Sequence, residues 1–264
     1  MLLVRPTAYP LDLKTIVIRN SQFLIKLPSS LYIYCMKIKR YTFEFLSIFI
    51  AVISAFALNN WNDHRKDREA ESKILSEINN GLSKDMEDVR INMYGHRIGI
   101  YANRYFQRLI NGQPVSRDSL ATYYFNLCRD YVSIQNTSGY ETLKSKGLEI
   151  IKRDSLRADI IALYEYDYNV LRKLEEEHYE MQFHQSSFKE INQFLAPHLQ
   201  FDSLNKISGI VLPLELDESD QALLQSHFWR ITSNRKFILE VYRGVEVKIE
   251  KLRGAITQEL KRQS

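Results

Sequence analysis

The sequence predicts an all-α protein, in which one N-terminal transmembrane helix is followed by an antiparallel bundle of about three long helices with short bridging helices. Three observations support this fold class. An apolar run occupies residues 41–61, only 9 glycines and 6 prolines occur in 264 residues, and apolar side chains recur every three or four positions after the run. This recurrence is typical of amphipathic helices, and few glycines and prolines leave few positions where a helix must end.

Residues 1–40 are predicted to be a leader without a fold of its own. Three prolines and a mixture of apolar and basic residues give the part before Met36 no amphipathic period. The stretch 36–40 is typical of the short start of a membrane anchor. Met36 is therefore the expected start of the protein, and the residues before it are expected to be an overextended reading frame. The alternative is a translated basic leader that is disordered or lies on a surface.

Residues 41–61 are predicted to cross a membrane as one helix. No charged side chain occurs from Phe45 to Leu58, and extension to Tyr41 and Trp61 gives the roughly 20 residues that a span needs. Aromatic rings at both ends suit the headgroup level. The lipid bilayer is therefore the first expected partner, with a buried helix of a soluble protein and a signal peptide as alternatives. Basic residues bracket the run on both sides: Lys37, Lys39, Arg40, Arg65, Lys66 and Arg68.

One face of the predicted span combines an acidic side chain with small ones. Its members are three or four residues apart, which puts them on the same side of a helix. Small residues let a second helix approach closely, and polar groups can hydrogen-bond across such a contact. We therefore expect the span to pair with itself or with another membrane helix, unless the carboxylate only reaches the membrane interface. The face consists of Glu44, Ser47, Ala51 and Ala55.

A juxtamembrane motif at residues 59–62 directly follows the span. This part of the chain resembles an uncharacterised family of bacterial single-span membrane proteins, in which G-E-I-x-L-V-V-x-G-I-L-I-A runs into I-N-N-W-N-E and a basic helix. Glu44 falls in register with that pattern, whereas Phe43 and Ala51 stand where the family has glycines. The motif consists of Asn59, Asn60, Trp61 and Asn62.

A second block of the same family has the form Y-x-x-L-x-S-x-G, followed by an isoleucine and L-R. Residues 140–147 match its first part, and Leu156 and Arg157 match its end. The resemblance extends over roughly residues 41–168. It implies membership of this membrane-protein family, to which no activity is attached.

Residues 62–264 are predicted to form one helical bundle domain, since about 200 residues are enough for a single core. The first long helix is expected to continue to Ile110 and to end at the turn 111–114, which contains glycine and proline. Short helices are predicted around residues 116–127 and 140–148, where they bridge one end of the bundle.

Two more long helices complete the predicted bundle. One covers residues 154–195, with Asp154 or Ser155 as its N-cap and a proline after its end. The last begins at Asp217 or Ser219, after a loop, and continues to the basic tip of the chain. Asp and Ser suit these starts because their side-chain oxygens accept bonds from the first free N–H groups of a helix.

No residue is predicted to be catalytic or to bind a cofactor or a metal, because the sequence has no Walker, Rossmann, zincin or nucleophile-elbow motif. Glu175 and His178 have the spacing of one di-iron ligand pair, but a second such pair is missing. The alternative is an anchored enzyme or metal-binding bundle with a site assembled from Glu175, His178, His184 and His227. Cys128 has no histidine nearby in the sequence and is expected to be a buried structural cysteine.

Tyrosines are frequent between residues 123 and 168. Tyrosine combines an apolar ring with a polar tip and is enriched at recognition surfaces. A binding patch near the loop at Ser138 is therefore predicted to include Tyr124 and Tyr140. The alternative is that these tyrosines pack the short helices against the bundle.

Charge excludes one class of partner and leaves the orientation open. The formal net charge is +4 with mixed signs, so no nucleic-acid partner is expected. Four basic residues lie in each of the segments 22–40 and 62–80, which gives no positive-inside bias. The usual layout of a signal-anchored protein favours a bacterial inner membrane, with the domain outside the cytoplasm. The expected function is that of a non-catalytic binding, scaffold or sensory module.

Overall fold

The computed structural model describes residues 29–263, with side chains from residue 41 onward. The expectations for residues 1–28 lie outside the described residues. The first helix, α1, begins at Ser29, so the last part of the predicted leader is helical.

Helices account for almost all of the regular structure, which confirms the all-α class. The described residues contain seven α-helices and one two-stranded antiparallel sheet. The described residues divide into two compact units, 29–66 and 67–263. The elements are α1 (Ser29–Ile110), α2 (Leu120–Leu127), α3 (Ser138–Lys146), α4 (Asp154–Ile161), α5 (Tyr168–Glu176), α6 (Lys189–Leu195), β1 (Leu199–Phe201), β2 (Ile207–Ile210) and α7 (Glu218–Gln263).

Two helix ends lie where the sequence predicts them. Helix α1 ends at Ile110, and Gly112 in the following turn has a φ of +66°, a conformation that glycine adopts without steric cost. Helix α7 begins directly after Asp217, whose Oδ1 accepts the backbone N–H of Asp220 at 2.8 Å. Asp217 is therefore the N-cap of α7.

The prediction of one continuous helix over residues 154–195 is wrong. Helix α4 leads through a wide π-helical turn at 162–167 into α5, which ends at Glu176, and α6 starts thirteen residues later, at Lys189. The break lets Phe183 turn into the core, where it is 1% exposed. The predicted N-cap at the start of α4 is also wrong, because Arg153 precedes the helix and makes no capping bond.

The loop predicted before α7 contains a short β-hairpin. Leu199 of β1 pairs with Ile210 of β2, and the register shifts by one residue after Gln200. Ile207 and Ile210 pack against neighbouring apolar side chains, whereas Phe201 is exposed to solvent. The hairpin therefore covers part of the core at the N-terminal end of α7.

Two hydrophobic clusters hold residues 67–264 together. The first cluster joins the middle of α1 to α3, α4, α5 and the C-terminal half of α7, and the second joins the end of α1 to α2, α6 and the start of α7. Helices α1 and α7 run antiparallel, because His96 contacts Arg235 while the earlier Arg90 contacts the later Glu246. The apolar periods predicted for both helices are buried: Leu75, Ile78, Leu82, Met86, Val89, Met93, Leu224, Phe228, Ile231, Ile238, Val245, Ile249, Leu252 and Ile256.

Candidate functional site

The apolar segment of α1 is exposed along residues 41–60. Among the described residues, α1 is the one helix that is long and apolar enough to cross a membrane, and none of its most apolar window is buried. An exposed apolar surface of this size calls for lipid or a protein partner. The predicted contact face lies open on it, as all four of its residues are exposed: Glu44, Ser47, Ala51 and Ala55.

The side chains of the juxtamembrane motif interact along the helix surface. Asn59 Nδ2 donates to Asp63 Oδ2 at 3.1 Å, and Arg65 Nη2 donates to Asn62 Oδ1 at 3.5 Å. The Arg65 guanidinium lies 5.7 Å from the centre of the Trp61 ring. These contacts are three or four residues apart, the spacing at which helical neighbours meet. The motif therefore has a defined surface that suits a headgroup layer or a partner.

The structure places Tyr124 and Tyr140 in different hydrophobic clusters and does not bring them together as one patch. Tyr140 is only 3% exposed, stacks on Tyr164 with ring centres 4.5 Å apart, and donates to Glu165 Oε1 at 2.9 Å. Tyr124 is half-buried, and its hydroxyl donates to Asn192 Oδ1. Both tyrosines therefore contribute to internal packing.

The residues that the assembled-site alternative names make separate contacts in the structure. No group of three or more His, Cys, Asp or Glu side chains within residues 41–263 is arranged to hold a metal ion. Glu175 is buried and accepts the Ser133 N–H at 3.1 Å and the Tyr242 hydroxyl. Burial raises the pKa of Glu175, while these hydrogen bonds lower it. The ring of His184 stacks on Phe188 with centres 4.7 Å apart.

His227 lies beside a serine, but this pair lacks the features of a nucleophile and its base. The Ser187 hydroxyl is fully buried and lies 3.4 Å from His227 Nδ1. Arg230 Nη2 donates to Ser187 Oγ at 3.1 Å and lies 3.3 Å from His227 Nδ1. Burial and the Arg230 charge lower the pKa of His227. The contacts among Ser187, His227 and Arg230 therefore hold the turn before α6 against α7.

Sequence analysis misses a set of acidic side chains that hold the connection between α2 and α3. We call this connection, residues 129–137, the strap. It contains no helix or strand. Asp85 Oδ1 accepts the Asn136 N–H at 2.7 Å, and Asp88 Oδ2 accepts the Ile134 N–H at 2.9 Å. The sequence signal was present, since Asp85 lies within the apolar period of α1.

The carboxyl group of Asp85 has a strongly raised pKa. Its second oxygen accepts the Tyr168 hydroxyl at 2.7 Å. Burial raises the pKa of Asp85 to about 6, although the bonds from Tyr168 and Asn136 act in the opposite direction. The strap is therefore held by a carboxyl group that titrates near neutral pH.

A fully buried arginine holds the other end of the strap. Arg235 is 0% exposed, and its Nη2 donates to the carbonyl oxygens of Leu127 at 3.2 Å and Arg129 at 2.9 Å. Its guanidinium carbon lies 4.1 Å from the centre of the Phe183 ring. The positive charge suits the C-terminal carbonyls of α2, where the helix dipole is negative. Arg235 therefore closes α2 and fixes the start of the strap.

Two glycines of α1 make room for this arrangement. A Cβ at Gly99 would lie 2.4 Å from Arg235 Cζ, and a Cβ at Gly95 would lie 2.2 Å from the Tyr131 ring. His96 lies between the two glycines, and its Nδ1 is 3.2 Å from Arg235 Nη1. Burial and the Arg235 charge lower the pKa of His96 to about 3, so the imidazole is neutral. Cys128 is buried nearby as predicted, and burial raises its pKa to about 12.

The surface between α1 and α7 carries a groove with basic walls. One part, of about 300 Å³, lies between the two helices, and a second part, of about 460 Å³, extends along α1 to the turn after it. Tyr101 lines both parts. We call this the basic groove, and its main residues are Arg97, Ile100, Tyr101, Arg104, Arg108, Lys236, Leu239, Glu240 and Arg243.

No family model, curated protein or solved structure matches the chain. The resemblance to the single-span bacterial family stays a prediction from the motifs at 59–62 and 140–157.

Proposed function

We propose that this chain is a single-pass membrane protein whose folded domain is a non-catalytic binding, scaffold or sensory module. One observation carries the proposal: the buried side chains of Asp85, Glu175 and Arg235 hydrogen-bond to other parts of the chain. Asp85 and Glu175 accept strap N–H groups, and Arg235 donates to backbone carbonyls. Groups engaged in this way stabilise the fold. Recognition is left to the surface.

The proposed anchor is the helix segment 41–61, in the inner membrane of a bacterium and with residues 67–264 outside the cytoplasm. The exposed apolar surface of this segment supports the anchor. The long domain after the span supports the orientation, because long domains translocate largely regardless of their charge. Reporter fusions after Ser264 test the orientation, because a periplasm-active reporter is expected to give signal and a cytoplasm-active one is not.

We infer that the folded domain is an antiparallel bundle in which α1, the α4–α5 pair and α7 are the long members. Their shared first cluster supports this architecture, as do the contacts of Arg90 with Glu246 and of His96 with Arg235. Helices α2 and α3 are the short bridging members. The strap connects them across α1.

Metal analysis of the purified full chain in detergent tests the absence of a catalytic metal. The non-catalytic proposal predicts less than stoichiometric metal after purification without chelators. One tightly bound metal ion per chain would favour the alternative, an anchored enzyme or metal-binding bundle, and would overturn the proposal.

We propose that the span also pairs with itself or with another membrane helix through Glu44, Ser47, Ala51 and Ala55. Replacing a small side chain by a large one should separate the two helices. We expect Ala51→Leu and Glu44→Leu to reduce association in a membrane two-hybrid assay, whereas Ile53→Leu on the opposite face should not. Equal association of all variants would contradict the proposal.

A further inference from the structure

The basic groove has an excess of positive charge that the domain itself leaves unbalanced. Five basic side chains and one acidic side chain line it. The acidic one, Glu240, is already paired with Arg243. Arg97, Arg104 and Lys236 have no ion-pair partner among the side chains described for residues 41–263. Two turns earlier on α1, by contrast, Arg90 is neutralised by Glu246 at 2.7 Å.

The floor of the groove is apolar, whereas its rims are basic. Ile100 and Leu239 lie at the bottom, where Leu239 is buried and Ile100 partly buried. Arg97, Lys236 and Arg243 are exposed above them. A ligand that fits this section needs an apolar strip with negative charge on both sides. Nucleic-acid backbones and free anions lack such a strip.

The groove follows a straight line along α1. Residues 97, 101, 104 and 108 are spaced by four, three and four, so their side chains form one row about 16 Å long. Tyr101 in this row is 52% exposed. Arginine and tyrosine are the residues that most often anchor protein interfaces, and the guanidinium fork matches a carboxylate. The row has the length and the residue types to bind about three turns of a helix.

We propose that the basic groove binds an amphipathic acidic helix of another protein, with its apolar stripe on Ile100 and Leu239 and its carboxylates on the arginine and lysine rims. This inference rests on the proposed function as a binding module and names the chemistry of its partner. A second copy of this chain fits poorly, because two-fold pairing of the groove with itself would set cations against cations.

The test uses the full chain in nanodiscs of zwitterionic lipid and a panel of fluorescent amphipathic peptides of about five helical turns. The peptides carry a leucine stripe flanked by glutamates, with the angular width of the glutamate rows varied, and a matched set carries lysines instead. Anisotropy measures binding. We expect at least one acidic peptide to bind, no lysine peptide to bind, and the affinity to fall as salt is raised.

Charge reversal locates the site. We expect Arg97→Glu with Lys236→Glu to weaken binding of the acidic peptide by about tenfold or more. The matched control, Lys206→Glu with Lys261→Glu, changes the charge equally on exposed residues away from the groove and should leave binding unchanged. The exchange Arg97→Lys with Lys236→Arg should retain most of the affinity. Circular dichroism confirms that each variant is folded.

Three results would overturn the inference: no acidic peptide binds, the groove and control variants weaken binding equally, or a single-stranded oligonucleotide binds in a groove-dependent way where the peptides do not. These failures differ from failure of the proposed function. A chain that stays in the membrane fraction and is free of metal, yet binds no acidic peptide, keeps its proposed function and loses only this partner.

Discussion

At Gly99, helix α1 packs closely against the buried charge of Arg235. A Cβ there would lie 2.4 Å from Cζ of the fully buried Arg235. In an open helix, replacing glycine by alanine stabilises by about 0.5–1 kcal/mol. At Gly99 we expect Gly99→Ala to destabilise the domain by about 1–3 kcal/mol, because the guanidinium must leave its carbonyl partners. Denaturant unfolding of the full chain in detergent measures the change.

Gly254 is the matched control for this prediction. It lies exposed in α7, and a Cβ there would meet nothing within 4 Å. Gly254→Ala should therefore stabilise, through the lower conformational entropy of the unfolded chain. If Gly99→Ala and Gly254→Ala changed the free energy of unfolding by the same amount and sign, the tight fit of Arg235 on Gly99 would be refuted.

Asp85 predicts a pH dependence of the free energy of unfolding. Its pKa in the folded protein, about 6, lies above the ordinary 3.8, so the folded state binds the proton more tightly than the unfolded state. The contribution of this group is therefore largest below about pH 3.8 and is lost as the pH rises through about 6. Asp85→Asn keeps one acceptor and cannot ionise.

We expect Asp85→Asn to be less stable than the natural chain at pH 4, by about 1 kcal/mol for the weakened hydrogen bond. The difference should shrink or reverse at pH 7, where the natural carboxylate is charged and buried. Exposed Asp118 supplies the control, Asp118→Asn, which should show no such trend. A difference between Asp85→Asn and the natural chain that stays constant from pH 4 to pH 7 would contradict the raised pKa.

At the scale of elements, the N-cap of α7 is an example of a feature that the local sequence predicts. Asp217 was predictable because a cap needs only its own side chain and an N–H three residues later, at 2.8 Å here. We expect Asp217→Ala to cost about 1 kcal/mol, and Asp217→Asn or Asp217→Ser to cost much less, since both keep an oxygen acceptor. Thermal unfolding followed by circular dichroism compares the three variants. Equal losses for all three would show that the cap bond contributes nothing.

The break between α5 and α6 was not predictable in the same way. The apolar period continues through Leu174, Met181 and Phe188, so the local pattern favours one helix. The structure breaks it because Phe183 packs on Arg235, a residue about fifty positions away. Tertiary contacts override local pattern here. The β-hairpin before α7 was missed for a related reason, because its strands are only three and four residues long.

For the whole molecule, the sequence was sufficient for the helical class, for the exposed apolar helix and for the buried faces of α1 and α7. The surfaces that matter for recognition were not predictable, because each is built from distant parts of the chain. Arg97 and Lys236 form opposite walls of one groove although 139 positions separate them. The sequence around a single exposed arginine or lysine does not indicate which distant residue it will face. Tyr140 illustrates the converse, because its hydroxyl donates to Glu165 within the domain, a pairing that the sequence does not indicate.

The proposed membrane anchor gives the last prediction, because it would decide where the basic groove meets its proposed partner. A lysine at the centre of a membrane helix costs about 2.5–3.5 kcal/mol, so two should prevent stable insertion. We expect the natural chain to stay in the membrane pellet after alkaline carbonate extraction, and Ile50→Lys with Ile53→Lys to release it. The control, Phe237→Lys with Val247→Lys, adds two lysines at exposed positions of α7 and should stay in the pellet. Release of the natural chain by carbonate would remove the anchor, whereas retention of the Ile50 and Ile53 variant would mean that residues 67–264 hold the membrane themselves.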